Sequence, residues 1–384
     1  MRRAGLVAIL VLAAACQRPD PQAWLGPPQN VAPGLDFFQT TDATIVRNEG
    51  PIAIYLLRLD PGRVMIESAL SNEEVMDAER VDAIAQRHQA LAAINAGFFN
   101  VKNGEPVSLL KVAGELVSDS SLPRAVVAID TRPGERQQFH FDQAAAKVQI
   151  RFQSGPDTLT VPVDGVDTTR ERGKLMLYTP AYHADTDTAA NGIEWIVSGT
   201  PLTVQEVRRD AGKSPIPRNG VVLSYGGLDP PAPLDRLSPG TTITTAINWK
   251  IVDGTPATVF DNARDIINGA GLLRRGGVTM TNWQTAEDLK PATFLDIRHP
   301  RTVLGIDGRG YVWLAAIDGR QPDHSIGMTF AELLVLCARL DLRDAINLDG
   351  GGSTTMVVKG AIVNKPSDAA GPRPVGDAIL VKSR

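Results

Sequence analysis

The stretch AINLDGGGSTTMVV, residues 345–358, places one carboxylate, Asp349, directly before three glycines and three hydroxyl side chains, Ser353, Thr354 and Thr355. A strand ending in a carboxylate and turning through glycines lets the backbone approach a ligand with no side chain in the way. Successive N–H groups of such a turn form a concavity suited to an anion. The stretch has no lysine and runs into Val357 and Val358 rather than into a helix, so it is not a nucleotide-binding P-loop. It also lacks the Gly-x-Ser-x-Gly spacing of a nucleophile elbow. The structural alternative is a tight hairpin between two buried strands.

Three further stretches carry residues of compatible chemistry. In AINAGFFN, residues 93–100, Asn95 closes an apolar run where an amide can bind a sugar hydroxyl or cap the turn. Gly97 follows, and Phe98 and Phe99 could stack on a sugar ring or fill a core. In IRHPRTVLGID, residues 297–307, Arg301 has the fork geometry for bidentate phosphate binding, and His299 titrates near neutrality. In VWLAAIDGRQPDHS, residues 312–325, Asp318 stands at a strand end beside Arg320, with His324 close by. Asp-Gly is first of all a hairpin signal, but a carboxylate there can also act in acid–base chemistry. Together the four stretches describe a polar site of Asp, Asn, Arg and hydroxyls at strand ends, suited to a substrate with both phosphate and sugar. No His/Cys spacing for zinc occurs and no cofactor is expected. A divalent ion held by Asp349, Asp318 and backbone carbonyls stays open.

Elements of two kinds must position these residues. TFAELLVLCARLD, residues 329–341, has Thr329 and Glu332 in capping-box spacing, with Phe330, Leu333, Leu334, Cys337 and Leu340 on one helical face. SNEEVMDAERVDAIAQRHQA, residues 71–90, carries Val75, Met76, Val81, Ile84 and Ala85 at helical spacing, with acidic residues at its start. Each helix leads into "AIN" and a glycine-containing turn, so Asn95 and Asn347 are equivalent in a weak repeat that could set both turns at one end of one sheet. PIAIYLLRLDPGRVMIESAL, residues 51–70, reads as two strands around a turn at residues 60–62. Residues 120–300 alternate strand-like runs such as AVVAID, GIEWIVSG and TTITTAINWKIVDG with turns. The pattern predicts an α+β protein, a mostly antiparallel strand-rich body with a few helices packed on the sheet.

The 384 residues, with 35 Gly and 27 Pro, fit one large domain rich in turns, and the formal charge of −4 gives no basic footprint for nucleic acid. At the N-terminus, Arg2 and Arg3 precede an apolar run over residues 6–15, too short to span a membrane and typical of an export signal. Small residues lead to Cys16, as in bacterial lipoprotein signals, with a plain secretory signal as the alternative. Residues 1–15 are therefore expected to be a signal peptide, Cys16 the lipidation site, residues 16–35 a Pro-rich tether and residues 36–384 the functional domain. The expected location is the periplasm or a lipid-anchored position on a bacterial membrane. Cys337, the one other cysteine, is expected to be a buried, inert thiol.

AINAGFF, HPRTVLGID, DGRQPDHSIGMTFAELLVLCARL and AINLDGGGSTTMVV, in that order, resemble the phosphodiester glycosidase family, as do IPRNGVVLS and DIINGAGLLRRGG. The resemblance runs from about residue 50 to the end. The chain departs from it at Ala96, where glycine is common. The resemblance implies hydrolysis between an anomeric carbon and phosphate in a sugar-1-phosphodiester of the N-acetylglucosamine kind. It also implies that Asn95, Arg301, Asp318, Asp349, Gly351, Gly352, Ser353 and Thr354 line the site. In that reading Arg301 and the 351–353 turn hold phosphate, and Asn95 holds sugar hydroxyls. Asp318 and Asp349 activate water or stabilise an oxocarbenium-like state. A non-catalytic protein that binds envelope polysaccharide, and a serine hydrolase using Ser353, are the rival readings.

Overall fold

A computed structural model describes residues 22–384. The expected signal peptide, Cys16 and the first part of the tether lie outside the described residues.

Alternating apolar residues and frequent turns produce four sheets. The largest has eight strands, all antiparallel, in the order Gln29–Ala32, Leu35–Thr40, Ile54–Leu59, Val312–Ile317, Arg301–Asp307, Leu342–Asn347, Leu272–Arg275 and Val278–Thr279. A five-stranded antiparallel sheet contains Ala361–Ile362, Met356–Val358, Ala92–Asn95, Asp377–Ser383 and Val64–Leu70. The inner faces of these two sheets bury Leu57, Leu304, Leu314 and Ile346 against Ile66, Ile94 and Ile379. Val127 and Ile267, from a third sheet of seven strands, complete that core. A second five-stranded sheet, within residues 165–211 and 220–225, packs its own core of Trp195, Val197 and Leu223 against the long strand Gln138–Ser154. The body is thus strand-rich and mostly antiparallel, with few helices, as its patterning predicts.

The helix Phe330–Arg339 forms with the expected capping box and packs Phe330, Leu333 and Cys337 on the outer face of the eight-stranded sheet. Cys337 is fully buried there, and burial pushes its thiol up to about 12. The other expected helix is shorter. It runs only over Val81–Arg87 and packs on the five-stranded sheet. The apolar residues ahead of it are recruited elsewhere, because Val75 N–H donates to Ala181 O and Met76 N–H to Tyr182 O. Tertiary pairing overrides helical spacing here.

One expectation holds and one changes at the level of connection. Ile54–Leu59 and Val64–Leu70 are both strands around a turn, as expected, and that turn joins the two core sheets. Leu342–Asn347 and Ala92–Asn95 also belong to different sheets, so the repeated "AIN" units do not share one. Their ends nevertheless meet, because Asp349 N–H donates to Ala96 O at 3.0 Å. Residues 22–35 are not an extended tether. Ala23–Leu25 forms a 3-10 turn, Gln29–Ala32 adds an edge strand, and Trp24 Nε1 donates to Arg339 O.

Candidate active site

The segment from Asp349 to Thr355 crosses from the eight-stranded sheet to the five-stranded one, which excludes the hairpin alternative. The crossing is bolted from behind by Asn95. Its Nδ2 donates to Asp349 O at 2.6 Å, and its Oδ1 accepts from Thr302 Oγ1 and Thr355 N–H. Asn95 is 1% exposed and has no surface left for a sugar hydroxyl. It fixes the strand end that carries Asp349.

Asp349 remains partly open to solvent while its carboxyl sits deep in the crossing. Its Oδ1 accepts the Gly350 N–H at 2.9 Å. Burial raises its pKa to about 6, against the opposing pull of Ser353, the Gly350 N–H and the charges of Arg373 and Arg320. Ser353 Oγ faces this carboxyl, yet it is buried without a hydrogen bond of good geometry. Such a carboxylate is available as a base, or as an anion opposite developing positive charge.

The glycine turn does a different task from the one expected. Gly351–Ser353 is a 3-10 turn in which three neighbouring N–H groups are already engaged: Gly351 on Pro300 O, Ser353 on Gly350 O and Thr354 on Gly351 O. The expected anion nest thus has three of its donors spent. The glycines instead admit cationic side chains. Gly351 has φ +60°, and a Cβ there would lie 3.0 Å from Arg320 Nη2. A Cβ at Gly352 would lie 2.2 Å from Asp368 Oδ1 and 2.3 Å from Arg373 Nη2. Arg320 Nη2 contacts His299 Nδ1 at 3.2 Å, and Arg373 pairs with Asp368 at 2.8 Å. Burial, with the charges of Arg301 and Arg320, holds the His299 pKa below its ordinary value, which favours the neutral ring.

Arg301 is not the expected phosphate fork. It is 2% exposed, with Nε donating to Met328 O and Nη2 to Phe294 O and Ile297 O. Its guanidinium lies about 5 Å from the Phe294 and Phe330 ring centres, at 5.0 and 4.9 Å. Burial, with the charge of Arg320, lowers its pKa to about 9, which leaves it charged at neutrality. Asp318 is also committed elsewhere. It is 1% exposed and accepts from His324 Nε2, Asn364 Nδ2 and Lys365 N–H at 2.8 to 2.9 Å. Asn364 in turn holds Thr354 O and Met356 N–H, so Asp318 anchors the far side of the crossing. Thr354 is buried within it and accepts from Thr302 Oγ1.

On the other flank of Ala96 and Gly97 lies a cavity of about 320 Å³, lined by Phe98, Phe294, Leu289, Asn268, Ser108 and Arg124 among others. Phe98 N–H donates to Asn268 Oδ1, and a Cβ at Gly97 would lie 2.6 Å from Asn268 Nδ2. Gly97 therefore lets the amide and the aromatic wall come together. Asn268 Nδ2 and Ser108 Oγ are both buried without a protein partner, and both residues line this cavity. Unpaired buried donors beside an aromatic wall suit a sugar ring. A second cavity of about 380 Å³, between the long strand Gln138–Ser154 and the smaller sheet, has no orphaned side-chain polar atom in its lining.

Two site residues escaped the sequence reading. Asn268 sits in DIINGAGLL and Arg373 in PRPVGDAIL, and neither has a spacing that marks chemistry. Among the described residues no group of His, Cys, Asp and Glu is arranged to hold a metal ion.

A carboxylate at a sheet crossing, arginines over a glycine turn and an aromatic cavity alongside define a strand-built polar site. The profile of the phosphodiester glycosidase family matches residues 191–382, and the chain belongs to that family. N-acetylglucosamine-1-phosphodiester alpha-N-acetylglucosaminidase of Bos taurus is 34% identical over 104 residues, covering 25% of this chain and 19% of its own length. The Mus musculus enzyme is 28% identical over 153 residues, 40% of this chain and 26% of its own. The matches thus span about a fifth to a quarter of these relatives. Two solved structures share the fold at 23% identity. A hypothetical protein from Synechocystis has a TM-score of 0.74, covering 93% of this chain and 64% of its own. A putative exported protein from Burkholderia pseudomallei K96243 has a TM-score of 0.72, covering 87% and 74%.

Proposed function

We infer that this protein hydrolyses the bond between the anomeric carbon and phosphate of a sugar-1-phosphodiester, an envelope glycan of the N-acetylglucosamine type. The observation that carries this reading is Asp349, raised to about 6 and flanked by Arg320 and Arg373, next to the cavity of Phe98 and Asn268. Family membership and the activity for which the animal relatives are named support it.

The sugar occupies the cavity against Phe98 and Phe294, whose ring centroids are 6.1 Å apart, with Asn268 Nδ2 donating to it. The phosphate lies at the glycine turn between Arg320 and Arg373. The C1–O bond breaks with its electron pair going to the phosphate oxygen. A phosphate monoester leaves readily and needs no strong general acid. Water adds to C1 and its proton passes to Asp349, whose negative charge also opposes the oxocarbenium-like charge. Asn95, Asp318 and Arg301 hold this geometry without touching substrate.

Sugar release from a methyl phosphodiester of N-acetylglucosamine, and from UDP-N-acetylglucosamine, tests the activity. Asp349→Asn is expected to lower kcat by about 10²–10⁴-fold. Undiminished release by that variant would remove Asp349 from the mechanism.

The protein is further proposed to be exported and anchored through lipid on Cys16, on the strength of Arg2, Arg3 and the apolar run before that cysteine. Cys16→Ser is expected to move it from the membrane to the soluble fraction, and unchanged fractionation would exclude the anchor.

A further inference from the structure

Behind the candidate site lies a carboxyl group that the mechanism above leaves without a task. Asp377 begins the strand Asp377–Ser383 and is 3% exposed. Its Oδ1 accepts the Gly97 N–H at 2.9 Å, and its backbone O accepts the Ala96 N–H at 3.3 Å. Its Oδ2 is buried with no partner. The Ala96 carbonyl accepts the Asp349 N–H, so one short segment, Ala96 and Gly97, ties both carboxyl-bearing residues together. An ionised carboxylate with one bare, buried oxygen is costly, whereas a protonated one carries its own hydrogen there.

We propose that Asp377 is a positioning residue of the same site, a second carboxyl that keeps one proton on its buried Oδ2 so that Asp349 alone carries the negative charge facing substrate. This rests on the hydrolase reading only for its consequence, not for the pairing itself. The charge facing Asp377 is that of Asp349, and Asp349 faces Arg320 and Arg373. Burial first, and then the Asp349 charge, lift the Asp377 pKa to about 7 against the Gly97 N–H bond. Two carboxyls so coupled lose their protons in two steps. Loss of the second proton places two negative charges beside a pocket that must accept an anionic diester. The penalty therefore falls on KM above neutral pH.

The pairing is tested without substrate by 13C NMR of protein labelled at the aspartate carboxyl carbon, with signals assigned through Asp349→Asn and Asp377→Asn. In the wild type the Asp377 signal is expected to titrate near 7, with a second step in the Asp349 signal at the same pH. In Asp377→Asn that second step disappears. A wild-type Asp377 signal titrating in the ordinary carboxylate range overturns the proposal even if the variant fails to fold. So does an Asp349 curve that is identical in both proteins. Kinetics supply the functional arm: the rise in KM above about pH 7 is expected in the wild type and absent in Asp377→Asn. Persistence of that rise in the variant, or a lower Tm with an unaltered pH profile, also overturns it. Absence of turnover on every phosphodiester overturns the hydrolase reading while the NMR result stands alone.

Discussion

Single side chains in this protein are sorted by whether their polar atoms are already spent. Asp318 and Asp349 both close strands and both resemble catalytic carboxylates in the sequence. Asp318 accepts three hydrogen bonds and is sealed, whereas Asp349 accepts one from Gly350 and keeps an open edge. Removing Asp318 leaves the Lys365 N–H without its acceptor and takes one hydrogen bond each from His324 and Asn364. Asp318→Ala is therefore expected to cost about 3–5 kcal/mol in urea denaturation. Its kcat per folded molecule should fall far less than that of Asp349→Asn. A collapse of kcat with stability intact would make Asp318 a participant in the chemistry. Arg301 illustrates the same sorting, because a guanidinium whose Nε and Nη2 are engaged with carbonyls builds a wall between Phe294 and Phe330.

At the scale of elements, the glycine turn is a crossing between sheets and a seat for side chains from two loops. Arg320 arrives over Gly351, and the Asp368–Arg373 pair arrives over Gly352. A methyl group at 352 would first meet the flexible ends of that pair. Gly352→Ala is accordingly expected to raise KM by about tenfold, since each 1.4 kcal/mol is a factor of ten, with little change in Tm. A large loss of Tm with normal KM would mean that the glycine serves folding only. The helix Phe330–Arg339 supports the same region from outside, with Phe330 edge-on to Trp283 and packed on Phe294.

For the whole molecule, placing buried carboxyls where two sheets cross links stability to pH. Asp349 and Asp377 have folded-state pKa values raised to about 6 and about 7 from 3.8. The stability they contribute is fully present below the unfolded value, near pH 4, and is lost as pH rises through 6 and 7. Asp377→Asn is expected to flatten the decline between pH 4.5 and 7.5 by more than about 1.4 kcal/mol, the equivalent of one pKa unit. Urea midpoints at the two pH values measure it, and parallel declines in both proteins would contradict the assignment.

The sequence by itself determined the local elements and the inventory of chemistry. The capping box of Thr329 and Glu332, the alternation of the strands and the order of the four motifs were all legible. They depend on neighbours within a few residues. It also brought Asp349, Gly97 and Phe98 to notice through their glycine and aromatic surroundings. Only the tertiary structure decided which polar groups are free. Asn95, Arg301 and Asp318 lose their freedom to partners 27 to 260 residues away, apart from the nearby Phe294, Ile297 and His324. Asn268 and Asp377 enter the site because strands distant in sequence end beside Ala96 and Gly97, and Arg373 enters from a loop that folds over Gly352. A hydrogen bond between distant strands has no local signature in composition or spacing, so chemistry at a sheet crossing becomes readable once the sheets are assembled.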